Sequence, residues 1–179
     1  MRGLLVGRFQ PFHAGHLGTV RRLRTEASDE ELIVAIGSAE QSYTWENPFT
    51  ASERFEMIAR ALAEASIDGV LVVPVADIHR HALWVRYLEG LLPEFGRVYT
   101  NNPLTRLLFE KGGYRVERPP LLDRTRLEGR KLRELLASGR PLGNRVPRSV
   151  ARYLAEIDAA GRLALLRGAA TARSGTRRR

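Results

Sequence analysis

The chain of 179 residues has no cysteine, which excludes disulfides, thiolate metal sites and cysteine nucleophiles together. Lysine is nearly as scarce. Lys111 and Lys131 are the only two, so positive charge is carried by arginine, whose planar fork suits bidentate contacts with phosphate or carboxylate. No run approaches the roughly 20 consecutive apolar residues of a membrane span. The apolar start Gly3-Leu4-Leu5-Val6 is cut by Arg8 before it reaches signal-peptide length, which predicts a cytoplasmic protein with no membrane partner. What is present suits a compact soluble fold: 44% hydrophobic and 27% charged residues, with Lys+Arg 29 against Asp+Glu 20 and a net charge of +9. A basic excess points to nucleic acid, an anionic membrane or a polyphosphate substrate without choosing among them.

Short β-rich runs at 2–7, 32–37, 70–75, 97–100 and 114–116 alternate with helical patterns at 15–25, 51–65, 81–92 and 104–110. That alternation predicts an α/β fold, a Rossmann-like doubly wound parallel sheet with helices on both faces. Leu17, Val20 and Leu23 share one face of the first helix; Phe55, Ile58, Ala61 and Leu62 share one face of the second. After Pro119-Pro120 the pattern turns helical, at 129–137, 147–157 and 162–166, with Pro147 read as a first-turn proline. The expected organisation is one domain over 1–167, an α/β core to 120 and a helical part beyond it, followed by a basic disordered tail over 168–179.

The most informative segment is Val6-Gly7-Arg8-Phe9-Gln10-Pro11-Phe12-His13-Ala14-Gly15-His16, at the end of the first strand and the start of the first helix. In a doubly wound sheet this junction faces the ligand crevice. His13 and His16 fall on one side of the helix start, beside free N–H groups and the positive end of the helix dipole, which together make a polyphosphate site. Gly15 removes a side chain where a base or phosphate approaches the backbone, and Arg8 can reach phosphate oxygens. A zinc site would need a third ligand, and the segment holds no carboxylate or thiol.

This string resembles the H-x-G-H signature of the nucleotidylyltransferase superfamily, and Gly7-Arg8-Phe9-Gln10-Pro11-Phe12 resembles the archaeal type of nicotinamide-nucleotide adenylyltransferase. The likeness continues through Gly37-Ser38-Ala39, Asn47-Pro48-Phe49-Thr50-Ala51, Glu53-Arg54, Asp77-Ile78, Ala82-Leu83-Trp84-Val85 and Asn102-Pro103-Leu104. It implies transfer of AMP from ATP to nicotinamide mononucleotide (NMN), with Mg2+, giving NAD and pyrophosphate. It also implies a homo-oligomer, commonly a hexamer among archaeal relatives, acting on small nucleotides rather than nucleic acid. His16, His13 and Arg8 become the catalytic candidates, with Gly7, Phe9, Gly15, Arg130 and Arg133 joining them around ATP. Metal would be held mainly by substrate phosphates.

Relatives hold the nicotinamide in the region of Asp77, Trp84 and Val85. A cationic pyridinium is attracted to a Trp face. Read without the resemblance, Trp84 equally suits a core position and Asp77 a helix cap. Asn101 and Asn102, closing the fourth strand beside the first, are candidates for ribose or base contacts or simply a turn before a helix. Ser38, after the second strand, completes the set.

Two stretches depart from the family pattern. The late Ser-x-Thr-x-x-Arg signature corresponds to Glu128-Gly129-Arg130-Lys131-Leu132-Arg133, which keeps the final arginine and loses both hydroxyls. Glu46 stands near where some relatives place an arginine. Another H-x-G-H transferase, acting on FMN, phosphopantetheine or a phospho-alcohol, and a non-catalytic nucleic-acid binder are the alternative readings.

Overall fold

A computed structural model describes residues 1–26, 31–119 and 127–176. The expected alternation forms β1 (Arg2–Gly7), α1 (Ala14–Glu26), β2 (Leu32–Ile36), α2 (Ala51–Glu64), β3 (Val70–Pro74), α3 (His81–Leu91), β4 (Phe95–Tyr99), α4 (Pro103–Lys111) and β5 (Arg115–Glu117). The helical part supplies α5 (Gly129–Ala137), a 3-10 turn (Gly143–Arg145), α6 (Arg148–Glu156) and α7 (Ala159–Thr176). All strand pairs are parallel, in the order β3-β2-β1-β4-β5, so β1 is central and the order reverses beside it. Ligands in such sheets sit at the carboxyl ends of the strands flanking that reversal, here the ends of β1 and β4.

Successive strand residues point to opposite faces and divide the interior in two. Leu5, Leu32, Val34 and Ile36 face one cluster with Met57, Ile58, Leu132, Val150, Leu154 and Leu163, so the helical part packs on the same sheet face as α2. Leu4, Ile33, Ala35 and Val98 face the other cluster, with Trp84, Leu88 and Phe109 of α3 and α4.

Three details differ from the sequence reading, and one adds to it. Helix α2 buries Arg54 and Met57 with Ile58, Ala61 and Leu62, while Phe55 is 41% exposed; the buried stripe is phased by an arginine. The N-terminus of α2 is fixed by a capping box, Thr50 Oγ1 accepting from Glu53 N and Glu53 Oε2 from Thr50 N. Pro147 is the N-cap of α6, with ψ of 151°, rather than a first-turn residue. Helix α7 is longer than 162–166 and runs through Gly168 to Thr176. Its alanine and leucine content outweighs the glycine cost of about 1 kcal/mol, and Arg167 anchors it by donating to Ala137 O and Ser138 Oγ. Residues 168–176, assigned to the tail on sequence, lie in this helix, while Arg177, Arg178 and Arg179 lie outside the described residues, as does Pro120.

Candidate active site

At the end of β1 the chain turns sharply through Phe9, whose φ is +52° and whose ring is buried. That ring lies over the strand end: a Cβ on Gly7 would stand 2.7 Å from Phe9 Cζ, so only glycine admits it. Its edge meets His16 with ring centroids 4.9 Å apart, almost perpendicular. His13 and His16 stack at 3.5 Å and 18°. They are interlocked through the backbone, since His16 N donates to His13 Nδ1 and His13 N to His16 Nδ1, each at 3.3 Å. A Cβ on Gly15 would stand 3.2 Å from the His13 ring, so this glycine serves the stacked pair itself.

Burial pushes His13 down to about 4. It pushes His16 well below its ordinary value, with the neighbouring His13 adding to the effect. Both imidazoles are therefore neutral at pH 7. With Nδ1 accepting, the proton of each ring sits on Nε2, leaving two N–H donors at the mouth of the turn.

Two cavities open at this turn, and Val6 and Gly7 line both. The smaller, about 270 Å³, is lined by Phe9, His13, Gly15, His16, Asn101 and Glu128 among others. The larger, about 400 Å³, takes Arg8, Gly37, Ser38, Asp77, Trp84 and Asn102, with His79, Arg80 and His81 entering α3. Ser38, at φ of +50°, donates from Oγ to Asp77 Oδ2 at 2.7 Å, and Glu40 Oε2 accepts from Asp77 N at 2.9 Å. Trp84 is 9% exposed; it lines this cavity while packing edge-on against Phe109 at 5.6 Å. It is thus both core and wall.

The remaining candidates separate. Asn102 caps α4, its Oδ1 accepting from Thr105 N, and still lines the larger cavity. Asn101 donates to Pro119 O on the wall of the smaller one. Val85 is buried among the α3–α4 core residues and lines neither cavity, because it follows Trp84 around the helix. Arg130 turns outward at 64% side-chain exposure, with Glu128 and Glu134 each 3.9 Å away. Arg133 instead reaches the motif, donating from Nη1 to Gln10 O at 2.9 Å. Its pKa is lowered by burial and by Arg8, with Glu46 acting in the opposite sense.

Three residues of the framework carried no assigned role in the sequence reading. Gln10 is buried and exchanges both amide hydrogen bonds with the Phe49 backbone, fastening the motif turn to the 43–49 loop. Arg162 of α7 holds that loop from behind, bidentate to Glu53 at 2.7 Å and bonded to Pro48 O. Arg54 is fully buried and donates to four backbone carbonyls, those of Thr50, Arg8, Gly37 and Ser38. Desolvation brings its pKa down to about 10, so it stays charged. The signal for Arg54 was its position, in helical phase with Ile58 and Ala61.

A strand-to-helix turn presenting neutral histidine donors, between two cavities at the reversal of a parallel sheet, defines a nucleotide-handling α/β protein. Residues 4–134 match the cytidylyltransferase-like family model. At the sequence level the chain is 44% identical over 162 residues to the nicotinamide-nucleotide adenylyltransferase of Thermoplasma acidophilum, covering 90% of this chain and 89% of that protein. It is 44% identical over 163 residues to the enzyme of the same name from Haloarcula marismortui, covering 91% and 85%. Among solved structures, a bifunctional NMN adenylyltransferase/ADP ribose pyrophosphatase from Francisella tularensis, complexed with AMP and a manganese ion, shares the fold with a TM-score of 0.75 at 19% identity. The likeness covers 92% of this chain, which spans about half of that longer protein. The chain belongs to the nicotinamide-nucleotide adenylyltransferases, within the cytidylyltransferase-like family.

Proposed function

We infer that the chain transfers AMP from ATP to NMN, forming NAD and pyrophosphate in NAD biosynthesis. The observation that carries the reading is the pair of cavities sharing Val6 and Gly7, one walled by neutral histidine donors and the other by an indole and a carboxylate. In this assignment the ATP phosphates occupy the smaller cavity and the nicotinamide ribotide the larger. An oxygen of the NMN 5′-phosphate attacks the α-phosphorus of ATP in line, the bond from that phosphorus to the bridging oxygen breaks, and pyrophosphate leaves with the electron pair. The protein positions and stabilises. Nε2–H of His13 and His16 donate to phosphate oxygens, with the amides at the start of α1 and the exposed Arg8 adding positive potential. Trp84 and Asp77 hold the pyridinium ring.

Among the described residues no three His, Asp or Glu side chains converge as a metal site. Magnesium enters as part of the substrate, on the ATP phosphates, where it offsets the charge on the leaving pyrophosphate. The enzyme works in the cytoplasm as a homo-oligomer. Leu83 and Leu91 of α3 and Leu104 and Leu107 of α4 are 44–51% exposed and offer apolar surface to a second copy, which light scattering tests. No helix among the described residues is long and apolar enough to cross a membrane.

The decisive assay incubates the protein with Mg-ATP and, separately, NMN, FMN, phosphopantetheine or a phospho-alcohol. NAD and pyrophosphate appear in equal amounts from NMN. Consumption of another acceptor without NAD formation overturns the reading.

A further inference from the structure

Arg54 is the most completely buried charged side chain of the described residues, and no acidic side chain stands within ion-pair distance of it among them. Isolated burial of a guanidinium is costly unless its donors are satisfied. Here the satisfaction comes from backbone alone. Nε donates to Thr50 O at 3.2 Å, within the N-terminal turn of its own helix. Nη1 donates to Arg8 O at 3.1 Å and Gly37 O at 2.8 Å, and Nη2 to Ser38 O at 3.0 Å. The last three acceptors follow β1 and β2, adjacent parallel strands whose ends are otherwise tied by Gly37 N donating to Gly7 O at 2.9 Å.

The distribution of those acceptors is uneven with respect to the two cavities. Arg8, Gly37 and Ser38 all line the larger one, and none of them lines the smaller. Ser38 is held at φ of +50°, a conformation unfavourable for a residue with a side chain, and from there its hydroxyl reaches Asp77. The guanidinium thus grips, from behind, the carbonyls of the two loops that present Arg8 and Ser38 to one ligand.

We propose that Arg54 is a positioning residue for the mononucleotide, clamping the β1 and β2 loops so that Arg8 and the Ser38–Asp77 pair face one another across the larger cavity. It touches neither substrate. Its charge, hydrogen-bonded only to carbonyl dipoles and offset at longer range by Glu40, also adds positive potential behind the position of the NMN phosphate. Lysine retains the charge but not the planar fork, and a single ammonium cannot span acceptors on two loops and its own helix.

The inference rests on assigning the larger cavity to NMN, so the wild-type protein is assayed beside the variants. A wild type that makes no NAD defeats that assignment. An active wild type establishes the reaction, and the variants then test the clamp. In Arg54→Lys the KM for NMN rises about tenfold while the KM for ATP changes less than twofold, and in Arg54→Met the NMN effect is larger still. A lowered melting temperature with both KM values unchanged, or equal rises in both, overturns the proposal.

Should neither variant fold, the wild type decides through nitrogen-15 NMR of its arginine side chains. Arg54 then shows restricted, separately resolved Nη protons that move on titration with NMN and much less with ATP. A freely rotating guanidinium, or shifts that fail to favour NMN, overturns the proposal.

Discussion

The two cavities that meet at Gly7 are built in opposite ways. The smaller draws most of its chemistry from one stretch of chain, Phe9 to His16, whose parts brace one another: an aromatic edge, two stacked imidazoles and a pair of reciprocal backbone bonds. The larger is assembled from the ends of β1, β2 and β3 and the entries of α3 and α4, and it depends on distant clamps such as Arg54 and the Ser38–Asp77 bond. A contiguous turn can be rigid by itself. A composite wall is only as well formed as the framework behind it, so substitutions near the first should act on rate and those near the second on substrate affinity.

The largest effect tests the first half of that contrast. His16→Ala lowers kcat by about 100-fold or more, with KM for NMN little changed, in steady-state NAD formation. A change confined to KM breaks the distinction. Next is Trp84→Leu, which keeps apolar bulk beside Phe109 but removes the ring face. Cation–π attraction of about 0.5–2 kcal/mol makes a rise of about tenfold in the KM for NMN the expected result, with kcat within a few-fold of wild type.

A third test concerns the neutrality of the histidine turn. His13 titrates near 4 in the folded chain and near 6.5 when unfolded, so between these values the unfolded chain binds more protons. Stability therefore falls as pH drops through this window. Thermal melts between pH 7 and pH 5, above most carboxylate titration, show a declining midpoint that His13→Asn reduces, leaving the share of His16, which burial shifts in the same direction; a flat wild-type profile contradicts the assignment. The smallest effect is expected at Arg130, which faces outward between two glutamates. Arg130→Ala changes kcat/KM for ATP by less than about twofold, in keeping with the small contribution of exposed ion pairs, and a tenfold loss would place it in the smaller cavity after all.

The same contrast explains what was legible in the sequence. The sheet, its helices and the histidine turn follow from short-range signals: alternation of patterns, a glycine-bounded strand end and two histidines three residues apart. Trp84 and Asp77 were ambiguous on their own, and the structure shows why for the indole, which packs in the core and walls the cavity at once. Arg54 was hidden because a charged residue beside Phe55 reads as solvent-facing, and only its carbonyl partners in the loops after β1 and β2 justify its burial. Val85 was carried along by its neighbour, although one step around a helix is enough to turn a side chain from a cavity into a core. At the C-terminal end, the small and basic residues from 168 were assigned to a disordered tail, and alanine-rich sequence carries α7 through the first of them to Thr176.

With each Nδ1 occupied by its neighbour's amide, the two imidazoles offer hydrogen bonds from Nε2–H and have no free nitrogen to take up a proton. Exchange of bonds at phosphorus then leaves the pair in the state in which it began, equally ready for pyrophosphate to return along the same line. In the proposed reaction the turn works as a reversible die rather than a relay, and replacing water with heavy water should leave turnover almost unchanged.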